Sequence, residues 1–262
     1  MGASSARWFA LAPSRLALLV AIAIQFAAPA VQATDEIQVY NASIAPLRTF
    51  TLQQHLNYVW SGSPTADFAG SFASHRTLNG TPELAYGVTD WYEIGLYAPF
   101  AFDSSGAFLP GGFKLRHLFV SPNADQHSLF GGLNIELSYL TPRFSQSAFA
   151  VELRPILGVR DLGWEFIVNP IVDVSFGTSG SADFTPALRL ARSIGKDTML
   201  GIEYYGDFGS IGHFSPAADQ RHTMFGVVDF NAFGFDVDFG VGVGLTDASD
   251  KIVTKLIIGR AF

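Results

Sequence analysis

Residues 235–245 read FDVDFGVGVGL. Phe235, Val237, Phe239, Val241, Val243 and Leu245 share one parity, while Asp236, Asp238, Gly240, Gly242 and Gly244 share the other. A period of two marks an extended strand with one apolar and one polar face. Working outward, the same rhythm bounded by turn residues recurs in about a dozen segments: 50–60, 81–88, 93–102, 113–120, 129–140, 149–158, 164–176, 185–192, 199–208, 222–230, 235–245 and 252–262. No segment of similar length carries a helical stripe, so the chain offers no amphipathic helix to cover the apolar face of a sheet.

The connections alternate in length. TDWY near Asp90, RDLG near Asp161, IGKD near Lys196 and NAFG near Asn231 are tight, whereas SGSPTADFAGSFASHR, DSSGAFLPGG, TPRFSQS, GTSGSAD and GSIGHFSPAADQR are longer and rich in Ser, Gly and Pro. Short turns at one end and long loops at the other are the pattern of bacterial outer-membrane barrels. SPNADQH, residues 121–127, breaks it by being long at the short-turn end.

The apolar parity then faces lipid, because a closed antiparallel barrel pairs every backbone group without edges. Its members include Leu52, Leu56, Tyr58 and Trp60; Leu133, Ile135, Leu137 and Tyr139; Phe149, Val151, Leu153 and Leu157; and Phe166, Val168, Val172 and Val174. Aromatics at strand ends, Trp60, Trp91, Tyr92, Tyr139, Trp164 and Phe262, fit interfacial girdles. The expected fold is all-β: a transmembrane antiparallel up-and-down β-barrel of about twelve strands. A soluble β-sandwich or periplasmic barrel would instead need loops to cover the Phe-rich face.

Composition agrees with that reading. Only 15% of the 262 residues are charged, 24 are phenylalanine and none is cysteine, against roughly 25% charge in soluble domains. Without cysteine there is no disulfide framework or thiolate metal site. Arg7 and Arg15 precede LALLVAIAI and a small-residue end with Val31 and Ala33, the form of a cleaved secretory signal peptide. A membrane-anchoring helix is the rival for that run. The remainder carries 14 of the 16 basic residues and all 23 acidic ones, a formal charge of 14 − 23 = −9. An acidic chain without a basic patch excludes nucleic acid as the expected partner. The division expected is a signal peptide at 1–33, an N-terminal periplasmic segment at 34–49 and the barrel at 50–262, exported to the outer membrane of a Gram-negative cell.

Function must come from the inward parity. Its candidate lumen-lining residues are Glu93, Glu136, Glu152, Arg154, Glu165, Asp173, Arg189, Glu203, Asp236, Asp238 and Lys255. Acids and bases on neighbouring strands suggest cross-strand ion pairs, with Arg154 reaching Glu136 or Glu165. Such pairs either fill a narrow lumen or line a path whose acidic excess favours cations. Phe262 ends the last strand on the parity of Leu256 and Ile258, the position of a C-terminal assembly signal; Arg260 sits where an apolar residue is usual and would snorkel. His213, Phe214 and Pro216 offer a lid over the long-loop mouth. His55, His75, His117, His127, His213 and His222 fall in no H-E-x-x-H, and G-x-S-x-G, P-loop and zinc spacings are missing. No catalytic residue, metal or cofactor is expected.

One stretch carries a family resemblance. GVTDWYEIGLYAPF, with Gly87, Thr89, Asp90, Glu93, Gly95, Pro99 and Phe100, resembles the outer-membrane barrel family named for meta-pathway phenol degradation and described as transporters; Glu152, Leu153, Arg154 and Pro155 look similar to a later strand of that family. The resemblance implies passage of small aromatic or hydrophobic solutes and carries over no catalytic residue. The expected partners are outer-membrane lipid, the barrel-assembly machinery and a small-molecule solute. A plugged barrel with a structural or loop-binding role is the alternative, and a membrane-embedded lipid hydrolase a further one.

Overall fold

The computed structural model describes residues 36–262; the expected signal peptide lies outside the described residues. Sixteen strand segments follow: β1 (Phe50–Ser61), β2 (Leu78–Gly87), β3 (Tyr92–Tyr97), β4 (Phe100–Phe102), β5 (Phe108–Pro110), β6 (Gly112–Val120), β7 (Leu129–Leu140) and β8 (Phe149–Asp161). Then come β9 (Trp164–Asn169), β10 (Val172–Ser175), β11 (Ala182–Phe184), β12 (Ala187–Ser193), β13 (Thr198–Asp207), β14 (Arg221–Ala232), β15 (Phe235–Gly244) and β16 (Ile252–Ala261). Four pairs are collinear halves of one strand. β3 and β4 pair with β2 in a single register, as β9 and β10 do with β8. β11/β12 line up in the same way against β10/β9, whereas β5/β6 carry one extra residue between Pro110 and Lys114 against β4/β3.

The result is a closed barrel of 12 antiparallel strands, sealed where β1 pairs with both β16 and β2. Two pieces read as loop from sequence, β5 and β11, are strand, because each extends a partner across the sheet. Conversely, the run 164–176 is not continuous: it is interrupted between Asn169 and Val172, where Pro170 has no amide hydrogen to give.

Burial alternates as a barrel requires. Leu52, Trp60, Phe149, Leu157 and Phe166 are exposed on the outer face, while His55, Asn57, Glu83, Glu136, Glu203 and Lys255 are buried on the inner one. At the short-turn end the Phe262 amide bonds the Phe50 carbonyl at 2.9 Å and its ring stacks on Phe50. Arg260 lays its guanidinium over Phe235, 5.6 Å from the ring centroid.

The segment at 34–49 departs from expectation. From Glu36 to Ala45 it is not a periplasmic extension but a strap inside the barrel, with Ile37, Val39, Tyr40, Ala42 and Ala45 buried. Ile37 packs with Val59, Phe225, Val227 and Val253. Val39, Tyr40 and Ala42 pack with Leu118, Phe130, Ile156, Ile167 and Ile171. Twelve strands enclose more width than their side chains fill, and the strap occupies the difference. It leaves beside Gly87, where Leu47 forms a parallel bridge and Arg48 donates to the Gly87 carbonyl. The unusually long turn at 121–127 folds into a 3-10 turn, Ala124–Gln126, whose buried Ala124 joins the same cluster.

The loop carrying Phe214 is not a lid. Its ring rests against Phe184 and Phe208, which share the outward parity, so the loop packs over the rim.

Candidate functional site: the strapped lumen

The lumen is built from period-two strands whose inner positions are polar, and the strap runs between two groups of charges. The first group lies on β1 to β7. Arg116 reaches both Glu83 and Glu93, and His55 Nε2 stands 3.3 Å from Glu83 Oε2. Glu93 also accepts the backbone amide of Ala45, so one carboxylate holds the wall arginine and the strap together. Above it the Tyr40 hydroxyl donates to Glu136 Oε1 at 3.2 Å and shares a 2.8 Å hydrogen bond with the Tyr97 hydroxyl. Asn134 donates to the same Glu136 oxygen at 2.8 Å, and Lys114 bridges Glu136 and Glu36 at 3.6 and 3.4 Å.

The second group lies on β8 to β16. Arg189 joins Glu165 at 3.3 Å, Glu203 at 2.6 Å and Asp229. Lys255 bonds Glu203 at 2.6 Å and Asp238 at 2.9 Å, and the Tyr205 hydroxyl donates to Glu203 at 2.7 Å. Arg160 ties Glu165 (2.6 Å) to the strap carbonyl of Asn41 (2.9 Å) and to Ala124 of the long turn (3.0 Å). Removing such charges from water costs several kcal/mol per ion, which only this density of partners offsets.

Arg154 does not reach Glu136 or Glu165. It forms a fork with Glu152 on its own strand, at 2.6 and 2.9 Å, because residues two apart on a strand share a face. Its remaining nitrogen donates to the Gln38 carbonyl at 3.0 Å, and its guanidinium covers the Tyr40 ring at 4.3 Å. Asp173 accepts the Thr185 hydroxyl at 2.6 Å. Asp236 is exposed and accepts from Asn231 Nδ2 at 3.1 Å.

Two cavities flank the strap toward the short-turn end, of about 720 and 280 Å³. Both are lined by Gln38, Asn41, Ser43, Gln53, Asp236 and Gly259, so they meet along one side of the strap. The larger adds Asp197, Asp229 and Asp238 against Arg189 and Lys196, an acidic excess. Toward the long-loop end a pocket of about 100 Å³ lies between Ile37, Val59, Tyr205, Phe225 and Arg221. The inner-face glycines of β15 make room for neighbouring side chains: a Cβ on Gly242 would stand 2.5 Å from the Phe225 ring, and one on Gly240 2.9 Å from Val227.

Sequence parity missed Tyr40, Arg160 and Asp229. Arg160 shares the parity of Arg154 and lies just past the segment 149–158, while Asp229 lies within 222–230 on the parity of Phe225, so parity alone could have found both. Nothing in the period of residues 36–45 marks a strap.

No family model and no curated protein matches the sequence. Among solved structures, the COG4313 outer membrane channel from Pseudomonas putida F1 superposes with a TM-score of 0.63 at 13% identity, covering 87% of this chain and 100% of that one. A bacterial polysaccharide outer membrane secretin follows at TM-score 0.43 and 7% identity, covering 84% of this chain and 100% of that one. LpxR from Salmonella typhimurium scores 0.41 at 9% identity, over 81% of this chain and 100% of that one. The first of these likenesses is one of fold.

Proposed function

We propose that this chain is an outer-membrane channel that passes small solutes, aromatic and hydrophobic ones among them, along the open side of its strap. The observation that carries the reading is the pair of adjoining cavities between the strap and β1, β15 and β16, lined by neutral polar groups and an acidic excess. A lumen filled for shape alone has no use for that space. The acids along it favour cations where water passes. Likeness of fold to a protein described as an outer membrane channel supports the same reading, as do the signal-like N-terminus and the resemblance at 87–102. Lipid contacts the outer face, and the assembly machinery reads the strand ending at Phe262.

The reading is non-enzymatic. The histidine rings of His55, His117 and His222 bond Glu83, Tyr92 and Tyr204 rather than a serine hydroxyl. A serine-reactive probe that labelled the folded barrel would instead favour a lipid hydrolase.

The test is single-channel conductance of the folded protein in a planar bilayer, with and without small aromatic acids. A steady conductance that the acids block is expected. A verified barrel that neither conducts nor lets liposomes take up small solutes would overturn the channel. The strap's many buried bonds favour a second reading, a plugged barrel with a structural or loop-binding role. In that case loop deletions abolish binding while permeability stays unchanged.

A further inference from the structure

Asn79 stands on the inner face of β2 and is only 5% exposed, yet its buried amide oxygen has no hydrogen-bond partner. An acceptor taken from water and left unmet carries its full desolvation penalty, so an asparagine kept in such a place calls for an explanation. The amide lines the pocket of about 100 Å³ at the long-loop end. The walls there are mainly apolar: Ile37 of the strap, Val59, Phe225 and Val253 form one buried cluster, with Tyr205 packed against it.

Among the described residues, the charged groups of the pocket rim are already matched. Arg221 bonds Asp67 at 2.7 Å, Asp250 accepts the Ser74 hydroxyl at 2.5 Å and the Ser63 amide at 3.3 Å, and Glu36 pairs with Lys114 at 3.4 Å. The unmet group is therefore a neutral one in apolar surroundings.

Ser63, Asp67 and Ser74 belong to one loop, 62–77, and that loop reaches further across the mouth. The Ser71 hydroxyl donates to the Arg143 carbonyl at 3.0 Å, and the Phe72 ring meets Phe144 edge-on with centroids 5.2 Å apart. Asp250 lies between β15 and β16, Arg221 begins β14, and Arg143 and Phe144 lie between β7 and β8, so the loop is moored at three places around the rim. Two of those moorings are pocket residues, which holds the pocket in shape from the exterior side.

We infer that this pocket is a capture site at the long-loop mouth for a small neutral molecule with an apolar body and one hydrogen-bond donor, an alcohol being the simplest, whose donor Asn79 Oδ1 accepts. The size agrees, since an apolar cavity of about 150 Å³ takes up benzene and about 100 Å³ admits about five non-hydrogen atoms, or the hydroxyl end of a longer molecule. An ion gains little there, because burying it without a counter-ion costs more than one neutral acceptor returns. The site rests on the channel reading for its role, as the first stop of a solute that then descends to the cavities beside the strap.

The chain has no cysteine, so Thr223→Cys places a single thiol on the pocket wall. The folded barrel in liposomes is equilibrated with 3-mercapto-1-propanol or with 2-methoxyethanethiol, each in the presence of its own disulfide. The two are isomers, and only the first has a hydroxyl donor. Mass spectrometry reads the fraction of barrel carrying each, relative to the same exchange with free cysteine. The hydroxyl isomer should be captured roughly fivefold more, the worth of one net hydrogen bond, and adding Asn79→Leu should abolish the preference. Asn79→Leu alone should raise the unfolding midpoint, because it removes an unmet buried acceptor, whereas loss of a structural asparagine would lower it. Equal capture of the isomers, a preference that survives Asn79→Leu, or a lowered midpoint would overturn the site. If the Thr223→Cys barrel does not fold, Val253→Cys on the same pocket is read in the same way. Conductance separates the two proposals: a barrel that shows the preference but carries no current loses the channel and keeps the site, and a conducting barrel without the preference keeps the channel and loses the site.

Discussion

The side chain of Asn169 pairs with the backbone of Tyr40 as a neighbouring strand would, its Oδ1 accepting the Tyr40 amide at 2.7 Å and its Nδ2 donating to the Tyr40 carbonyl at 3.1 Å. Both groups are buried. One carboxamide thus satisfies two backbone groups of a segment that belongs to no sheet.

Replacing it by a side chain of similar size without polar atoms should free the strap. Asn169→Leu leaves a buried donor and acceptor unpaired, a cost of about 1–3 kcal/mol for each group. We predict a larger or more frequent open current for this variant and a lower unfolding midpoint. Single-channel recording beside urea titration checks both. An unchanged current with lowered stability would mean the strap does not limit flow.

Arg116 is a partner that Glu83 and Glu93 share, and it also donates to the Tyr40 hydroxyl at 3.4 Å. Arg116→Met strands two buried carboxylates and should destabilise the barrel by about 3–5 kcal/mol. Adding Glu83→Gln and Glu93→Gln should recover much of that loss. Unfolding midpoints of the single and triple variants test the difference.

Charge at the mouth and charge in the network should behave differently. Asp236 is exposed and lines both cavities, so Asp236→Lys should lower cation preference with little change in stability. Arg154 is buried in its fork with Glu152, so Arg154→Glu sets like charges side by side and should mainly unfold the lumen. Reversal potentials in a salt gradient, read beside unfolding curves, distinguish them.

Gly242 is the floor under Phe225. A Cβ there would meet the ring at 2.5 Å, so Gly242→Val should cost about 1–3 kcal/mol through overpacking. The displaced ring would also close the small pocket it shares with Ile37 and Val59. A thermal scan checks the first effect.

Much of this molecule could be read one residue at a time. Period-two alternation is local, and in FDVDFGVGVGL it separates Phe239 from Asp238 without reference to any other strand. The number of such segments, their alternating connections and the shortage of charge then force closure, since a dozen apolar faces with no helix to cover them must meet lipid. Parity likewise put Glu136, Glu203 and Lys255 on the inner wall.

What parity does not carry is distance across the lumen. Which carboxylate Arg154 takes depends on strand register and on the Gln38 carbonyl standing opposite, and the strap at 36–45 has no period to announce it. The sequence by itself determined the two faces of the wall, because a strand's faces follow from its local geometry. Only the tertiary structure decided what fills the barrel, because that depends on groups brought together from more than a hundred residues apart, as Tyr40 and Asn169 are.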